Sequence, residues 1–452
     1  MIATLLPERT LATRGLETRT QIPRRRWRIA WLLGIGVLIN YFDRVNLSVS
    51  HEALFATFGI SNIVFGYLSG AYNITYCLCQ IPIGVILDRF GVKRVQRAGT
   101  FLWSLATFGA AVTPTLSGLF GARFLLGIGE APTFPANAKA IGLWFPSRER
   151  GLSTAMFDAG AKFASVIGVP LVGYVLLRFG WRWSFALTGI LSLIYFIFFW
   201  CMYRDPEEEP RLSPAERAFI SREEDPGQFT AQTELRTPSF RQHLLSLLRL
   251  LRQRKVLGLF LGMGSYNYVF YLLLTWLPSY LSGELHIDLL HSFLYTSVPW
   301  MVATVADLFV GGWLVDFLIH RGFSSSVVRR IILIGGTAFG LGILGAVHAR
   351  SAAHALLWIS VSIGGLSAAA PVGWTIPSLI ARREDVGKVG GIMNFSNQVS
   401  GIVAPIATGY LVTAFHTYAW AFGISAIYLV IGIAAYLVLL GKIEQMPGLR
   451  SA

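Results

Sequence analysis

Charge is what this sequence has least of. Only 14% of its 452 residues are Asp, Glu, Lys or Arg, against about 25% in an ordinary soluble protein. That deficit excludes a water-soluble multidomain enzyme. Cysteine is nearly absent as well, and Cys77, Cys79 and Cys201 all lie in apolar runs. Residues two apart on a helix point away from one another, so Cys77 and Cys79 cannot form a metal pair. They read as small buried hydrophobes. No metal-ligand spacing, nucleophile elbow or phosphate-binding loop is found, so neither an enzyme nor a cofactor or metal is expected. A cleavable signal is missing too. The first 28 residues are polar and arginine-rich, and the first apolar run is long enough to be a span.

What the chain has in quantity is apolar length. Hydrophobic residues make up 54%, mean hydropathy is +0.56, and 46 glycines with 13% aromatics suit close helix packing and interfacial belts in a bilayer. A hydrocarbon core of about 30 Å takes about 20 mostly apolar residues per helix. Such runs fall near 29–50, 62–86, 97–114, 118–140, 152–177 and 183–203. Six more fall near 256–282, 292–318, 327–347, 354–381, 388–414 and 417–440. The expectation is an all-α protein with twelve transmembrane helices.

The net charge of +14 is unevenly placed. Basic residues crowd alternate connections: Arg24, Arg25, Arg26 and Arg28; Arg89, Lys93, Arg94 and Arg97; Arg148 and Arg150; and, later, Arg252, Arg254 and Lys255; Arg321, Arg329 and Arg330; Arg382, Arg383 and Lys388. The other connections hold only Arg178, Arg182 and Arg350. This alternation is the positive-inside pattern and puts both termini in the cytoplasm. The partner it implies is the lipid bilayer, not nucleic acid.

One polar stretch, Arg204 to Lys255, interrupts the apolar runs. Within it, Ser213-Pro214-Ala215-Glu216 reads as a helix start, and the leucines and bases of Leu244 to Arg254 suit a helix lying on the cytoplasmic leaflet. The division expected is a tail at 1–28, a six-helix bundle at 29–203, a cytoplasmic loop at 204–255, a second six-helix bundle at 256–440 and a tail at 441–452. The halves echo one another. GVILDRFGVKR after the second run is answered by GGWLVDFLIHRG after the eighth, and WFPSRERG before the fifth by ARREDVGKVGG before the eleventh. Paired turns of this kind suit two related bundles rocking about a shared midplane site.

These loops resemble the major facilitator superfamily. Gly84, Asp88, Arg89, Gly91, Lys93 and Arg94 match its signature loop, and Gly312, Asp316, Arg321 and Gly322 its weaker repeat. NYFDRVNLS (Asn40 to Ser48) and RFLLGIGEAPTFPANAKAIGLWFPSRERG (Arg123 to Gly151) are similar to the anion:cation symporter family, which carries hexuronates, galactonate, glucarate, tartrate and phthalate. The resemblance implies two pseudo-symmetric six-helix bundles in a bacterial inner membrane.

An ionised side chain at the bilayer centre costs ~2.5–3.5 kcal/mol or more, so each needs a partner, a cavity or a task. Asp43, Arg44, Arg123, Glu130, Asp158, Lys162 and Asp307 lie deep in the runs, four acids against three bases. One acid is in surplus, and an anionic substrate adds to it, which favours proton coupling. Asp43 and Arg44 are adjacent and point about 100° apart on a helix. Arg44 offers a fork for a carboxylate, and by resemblance it contacts substrate while Asp43 belongs to the coupling machinery. Arg123 and Glu130 are seven apart on one face; by resemblance Glu130 is the coupling acid and Arg123 its partner. Asp158 and Lys162, four apart, read as a pair that neutralises itself, where the family more often has neutral polar residues. Asp307 is open between a partner for Lys162 and a second proton site.

The resemblance also assigns Tyr41, Tyr76, Trp374, Thr375, Asn394 and Asn397 to a substrate pocket, and Gly84, Asp88, Arg89, Gly91, Arg94 and Asp316 to a conformational loop. Tyr266, Asn267, Tyr268, Tyr271 and Trp276 suit an outer gate, though an interfacial belt accounts for Trp276 equally well. The leading expectation is a monomeric carrier that takes up a small organic anion, a sugar acid, with a proton by alternating access. Sodium in place of the proton, export or exchange, and a phthalate- or tartrate-like substrate are the alternatives.

Overall fold

Helices form wherever the apolar runs occur. The computed structural model describes residues 24–221, 247–349, 351–382 and 385–446. Its first half holds α1 (Arg25–Val49), α2 (His51–Phe58), α3 (Asn62–Val112), α4 (Leu116–Glu130), α5 (Thr133–Trp144), α6 (Ser147–Phe179) and α7 (Trp181–Met202). A short α8 (Pro214–Ser221) follows. The second half holds α9 (Arg254–Gly283), α10 (Leu289–Ala306), α11 (Val315–His320), α12 (Ser325–Gly340), α13 (Ile343–Val347), α14 (Ala352–Ile380), α15 (Val386–Phe415) and α16 (Ala419–Ala434). Among the described residues, nine helical stretches are long and apolar enough to cross a membrane. They become ten if α2 and the start of α3, bent by 117°, count as one.

Several boundaries differ from those expected, each for a local reason. α1 starts at Arg25, inside the expected tail, because the arginines there have acids to meet. Arg25 pairs with Glu209 at 2.8 Å, and Arg26 with Glu149 at 2.7 Å and Glu216 at 3.0 Å. α3 takes in the second and third runs together, yet Gly91 sits at φ 76°, ψ 166° and kinks the rod. That conformation is open essentially to glycine alone. The fourth run breaks at Pro132, which lacks the N–H needed to continue the ladder. Ser213 caps α8 as expected, its hydroxyl accepting the Glu216 N–H at 3.1 Å. Of the leaflet helix, residues 244–246 lie outside the described residues, and 247–251 are helical. The eighth run winds as a π-helix over Asp307–Leu314, which nothing in the sequence announced.

The helices sort into two groups. α3 packs on α4 and α7, and α1 on α6; α9 packs on α15 and α16, and α14 on α10 and α12. Between the groups, α3 meets α15, α6 meets α10 and α1 meets α9. The second run thus meets the eleventh and the fifth meets the eighth. Since the sequence repeat equates the second with the eighth and the fifth with the eleventh, the two contacts are related by exchange of the halves.

Contacts between the halves concentrate at the sparsely charged end, where Arg178 and Arg182 lie. Ser48 donates to the Thr275 carbonyl at 2.7 Å, Asn73 to the Gly401 carbonyl at 2.9 Å, and the Tyr67 and Tyr410 hydroxyls meet at 3.1 Å. Trp276 packs edge-on against His51, Phe65 and Tyr418. Towards the opposite, basic end, Gly84, Gly387, Gly390 and Gly391 face open space. The Ser48, Asn73 and Tyr67 contacts hold the halves together at the sparsely charged end.

Candidate functional site

The site grows from a close approach of two helices. A Cβ on Gly127 of α4 would collide with the Tyr72 carbonyl and the Thr75 hydroxyl of α3, and one on Gly129 would lie 2.6 Å from the Trp103 nitrogen. Bare glycines therefore bring Arg123 and Glu130 hard against α3. α1 supplies Asn40, Tyr41, Asp43 and Arg44, all buried.

Arg44 is the hub. Its Nη2 donates to the Tyr72 hydroxyl at 2.5 Å and to Asn40 Oδ1 at 3.2 Å, and lies 3.4 Å from Glu130 Oε2. Its guanidinium stands over the rings of Tyr41, Tyr72 and Tyr76 at 4.2, 4.8 and 5.7 Å. Desolvated cation–π contacts of this kind contribute ~2 kcal/mol at best, so the aromatics hold the cation without neutralising it. Arg44 Nε, Asn40 Nδ2 and Glu130 Oε1 are buried with no hydrogen-bond partner among the described residues. Native interiors rarely leave such atoms unmet, so a polar guest would find partners here.

Arg123 and Glu130 act on each other through charge, but the direct contact to Glu130 comes from Arg44. Two helical turns, roughly 10 Å, separate them along α4, and Arg44 reaches the carboxylate from the facing helix instead. Arg123 turns to the Asp43 carbonyl oxygen at 3.4 Å and lies 5.3 Å from the Tyr72 ring. Asp43 faces away from Arg44, accepting from the Ser192 hydroxyl at 3.4 Å.

A cavity of 20 Å³ between the halves is lined by Arg44, Ser48, Tyr72, Asn73, Arg123 and Tyr271, among others. That is room for about one water, so a larger guest requires the halves to shift. Of the expected second-half wall, Asn394 reaches the first half, donating to Gln80 Oε1 at 3.3 Å. Asn397 accepts from Asn267 within its own half at 2.7 Å. Trp374, 43% exposed, and Thr375, whose hydroxyl donates to the Val372 carbonyl at 2.8 Å, are not drawn into the Arg44 cage. Trp276 is fully buried and donates to the Pro405 carbonyl at 3.3 Å, so the interfacial reading of it fails. The sequence patterns did not single out Tyr72, Asn40 or Gln80, and they placed Tyr271 at an outer gate, not beside the Arg44 cavity. Tyr72 and Asn40 each lie four residues before a chosen residue, Tyr76 and Arg44, and so share its helix face.

A second charged group lies between α6 and the π-helical turn. Lys162 pairs with Asp158 at 3.0 Å and also with Asp307 of the other half. The self-contained pair expected for Asp158 and Lys162 is therefore a triad across the halves. In the conformational loop, Gly91 forms the kink, Arg89 lies exposed over the Phe90 ring, and Arg94 and Asp316 are exposed; the Asp88 side chain lies outside the described residues. Lys93 anchors this loop to Glu208 at 2.5 Å. Among the described residues no group of three His, Cys, Asp or Glu could hold a metal.

Comparison with known proteins agrees with this architecture. The family model for the Major Facilitator Superfamily matches residues 33–324 and 322–449. The uncharacterized transporter YybO of Bacillus subtilis (strain 168) is 37% identical over 422 residues, covering 93% of this chain and 95% of that protein. The probable galactarate/D-glucarate transporter GarP of Escherichia coli (strain K12) is 30% identical over 427 residues, covering 93% and 96%. A D-galactonate transporter of Escherichia coli O6:H1 is 31% identical over 424 residues, covering 94% and 97%. Among solved structures, an inward-facing, occupied bacterial homolog of the human lysosomal transporter Spinster matches with a TM-score of 0.72 at 16% identity, over 94% of this chain and 100% of that one. A D-xylose-proton symporter matches with a TM-score of 0.69 at 17% identity, over 93% and 99%. At such identities the structures speak for the fold alone. With its all-helical fold, its apolar spans and a family match over nearly its whole length, the chain belongs to the Major Facilitator Superfamily and is a multi-pass membrane transporter.

Proposed function

We propose that this protein is a proton-coupled symporter of a sugar acid, working by alternating access in a bacterial inner membrane. The reading takes the chain as twelve spans with cytoplasmic termini: the nine apolar stretches, the two arms of α3, and α4 with α5. The bundles are 29–203 and 256–440, and the basic end faces the cytoplasm. The relatives named for galactarate, D-glucarate and D-galactonate support the substrate class, which is a polyhydroxylated carboxylate.

The observation that carries the mechanism is the Arg44–Glu130 contact of 3.4 Å inside a buried aromatic cage. A substrate carboxylate and the Glu130 carboxylate compete for one guanidinium. A proton on Glu130 removes the competitor and leaves Arg44 free to form a charge-assisted fork with the substrate. Proton and substrate therefore favour each other's binding, by the reciprocity that any such linkage obeys. Asp43, Arg123 and the Tyr72 ring shared by both arginines complete the coupling group. Tyr41, Tyr76 and Asn394, with Asn397, Trp374 and Thr375 after the halves move, supply hydroxyl contacts. The loop of Gly84, Asp88, Arg89, Gly91, Arg94 and Asp316 holds one end state.

Uptake into proteoliposomes tests this with galactonate, glucarate, galactarate, glucuronate, tartrate and phthalate, with and without an inward proton gradient. Gradient-driven uptake of one sugar acid supports the reading. Gradient-independent uptake, or uptake of phthalate alone, contradicts it.

A further inference from the structure

The buried charges divide into two groups, and the division locates the surplus acid. Around Arg44 there are two acids, Asp43 and Glu130, and two bases, Arg44 and Arg123. Between the halves there are two acids, Asp158 and Asp307, and one base, Lys162. Lys162 and Asp307 are 3% and 4% exposed. The first group is balanced before any guest arrives, while the second carries one uncompensated negative charge.

We propose that Asp158, Lys162 and Asp307 form a second cation site, which holds a proton between its two carboxyls and ties that proton to the contact between the halves. Geometry supports it at three points. The Asp158 and Asp307 carboxyls both reach the one Lys162 ammonium, which brings them to the same point between the halves. Asp307 Oδ2 is buried and meets the Lys162 ammonium from the other half. Asp307 also opens the π-helical turn Asp307–Leu314, a distortion frequent at functional positions.

Among the described residues no second base makes an ion pair with the triad, and the Arg44 cation stands over the Tyr41 ring. α9 presents Tyr266 and α1 presents Tyr41, both phenols. α14, packed on the far side of the π-helical turn, has His354 near its start as its one ionisable residue. With one proton bound, a carboxyl donates to the other carboxylate, the remaining negative charge faces the Lys162 ammonium, and the group is neutral. Because Asp307 belongs to one half and the other two residues to its partner half, the proton is held only while α6 and α10 stay in register there.

A proton count on purified protein in neutral detergent tests the proposal without any substrate. Titrated between pH 9 and pH 5, Asp307→Asn takes up one proton fewer than wild type. Asp158→Asn, at the partly exposed member, gives the same deficit if Asp307→Asn does not assemble. In proteoliposomes the protons moved per substrate fall by one in either variant. An unchanged count in both variants overturns the proposal, and so does a count that 100 mM sodium abolishes, which makes the occupant sodium. Glu130→Gln removes a different proton. Loss of the Glu130 effect with the Asp307 effect intact therefore sinks the symport reading alone.

Discussion

The two buried charge groups differ in where they sit and in what they lack. The Arg44 cage belongs to one half: α1, α3 and α4 build it, and its charges cancel. The Lys162 triad straddles both halves and carries an extra acid. A balanced cage can accept an anion only with a cation, so it suits binding and coupling. An unbalanced triad at a moving contact suits sensing which way the halves are set.

The largest effect is expected from Arg44→Ala, which removes both the carboxylate fork and the partner of Glu130. Uptake falls at least a hundredfold, and stability falls by ~3–5 kcal/mol because a buried charge loses its partner. Arg44→Lys restores most of the stability, read as a thermal midpoint in detergent, but little of the uptake, since a point charge cannot replace a fork.

In the triad the order is reversed, which sharpens the contrast. Lys162→Met leaves the buried Asp307 carboxylate beside Asp158 with no cation and costs ~3–5 kcal/mol, whereas Asp307→Asn leaves the neutral Asp158–Lys162 pair and costs ~1 kcal/mol or less. Equal losses in the two variants would mean that no acid is in surplus. Next in size is Gly91→Ala. At φ 76° an added Cβ costs ~1–3 kcal/mol, and the loss appears as a lower thermal midpoint with substrate affinity unchanged.

Smallest is the exposed Lys93–Glu208 pair. The hydrogen bond and charge of Lys93 hold the Glu208 carboxyl below its usual range. Its contribution is complete above the ordinary carboxylate range and disappears as the pH falls through the lowered value. Lys93→Ala therefore shifts the melting curve only slightly at neutral pH, and not at all once Glu208 is protonated.

Much of this was legible in the residues. The spans follow from apolar length, and the kink at Gly91 and the break at Pro132 stand at a glycine and a proline that the motifs already marked. Of the seven deep charges the runs pointed to, all but the partly exposed Asp158 are buried. Partnerships were not legible, because they depend on how helices meet. Arg123 was matched to Glu130 along one helix, while Arg44 reaches it across two. Asp158 and Lys162 had the right spacing for a closed pair, and only the packing of α6 on the π-helical turn adds Asp307. Tyr72 was missed because a tyrosine in an apolar run looks like filler until two guanidiniums flank it.

In this mechanism Glu130 and the substrate carboxylate share Arg44. Substrate affinity measured against pH tests it most directly, in wild type and in Glu130→Gln, with D-galactonate or D-glucarate as ligand. The account predicts that wild-type affinity weakens as the pH rises and Glu130 ionises, while Glu130→Gln binds tightly with a flatter dependence. The same pH slope in both proteins would contradict it.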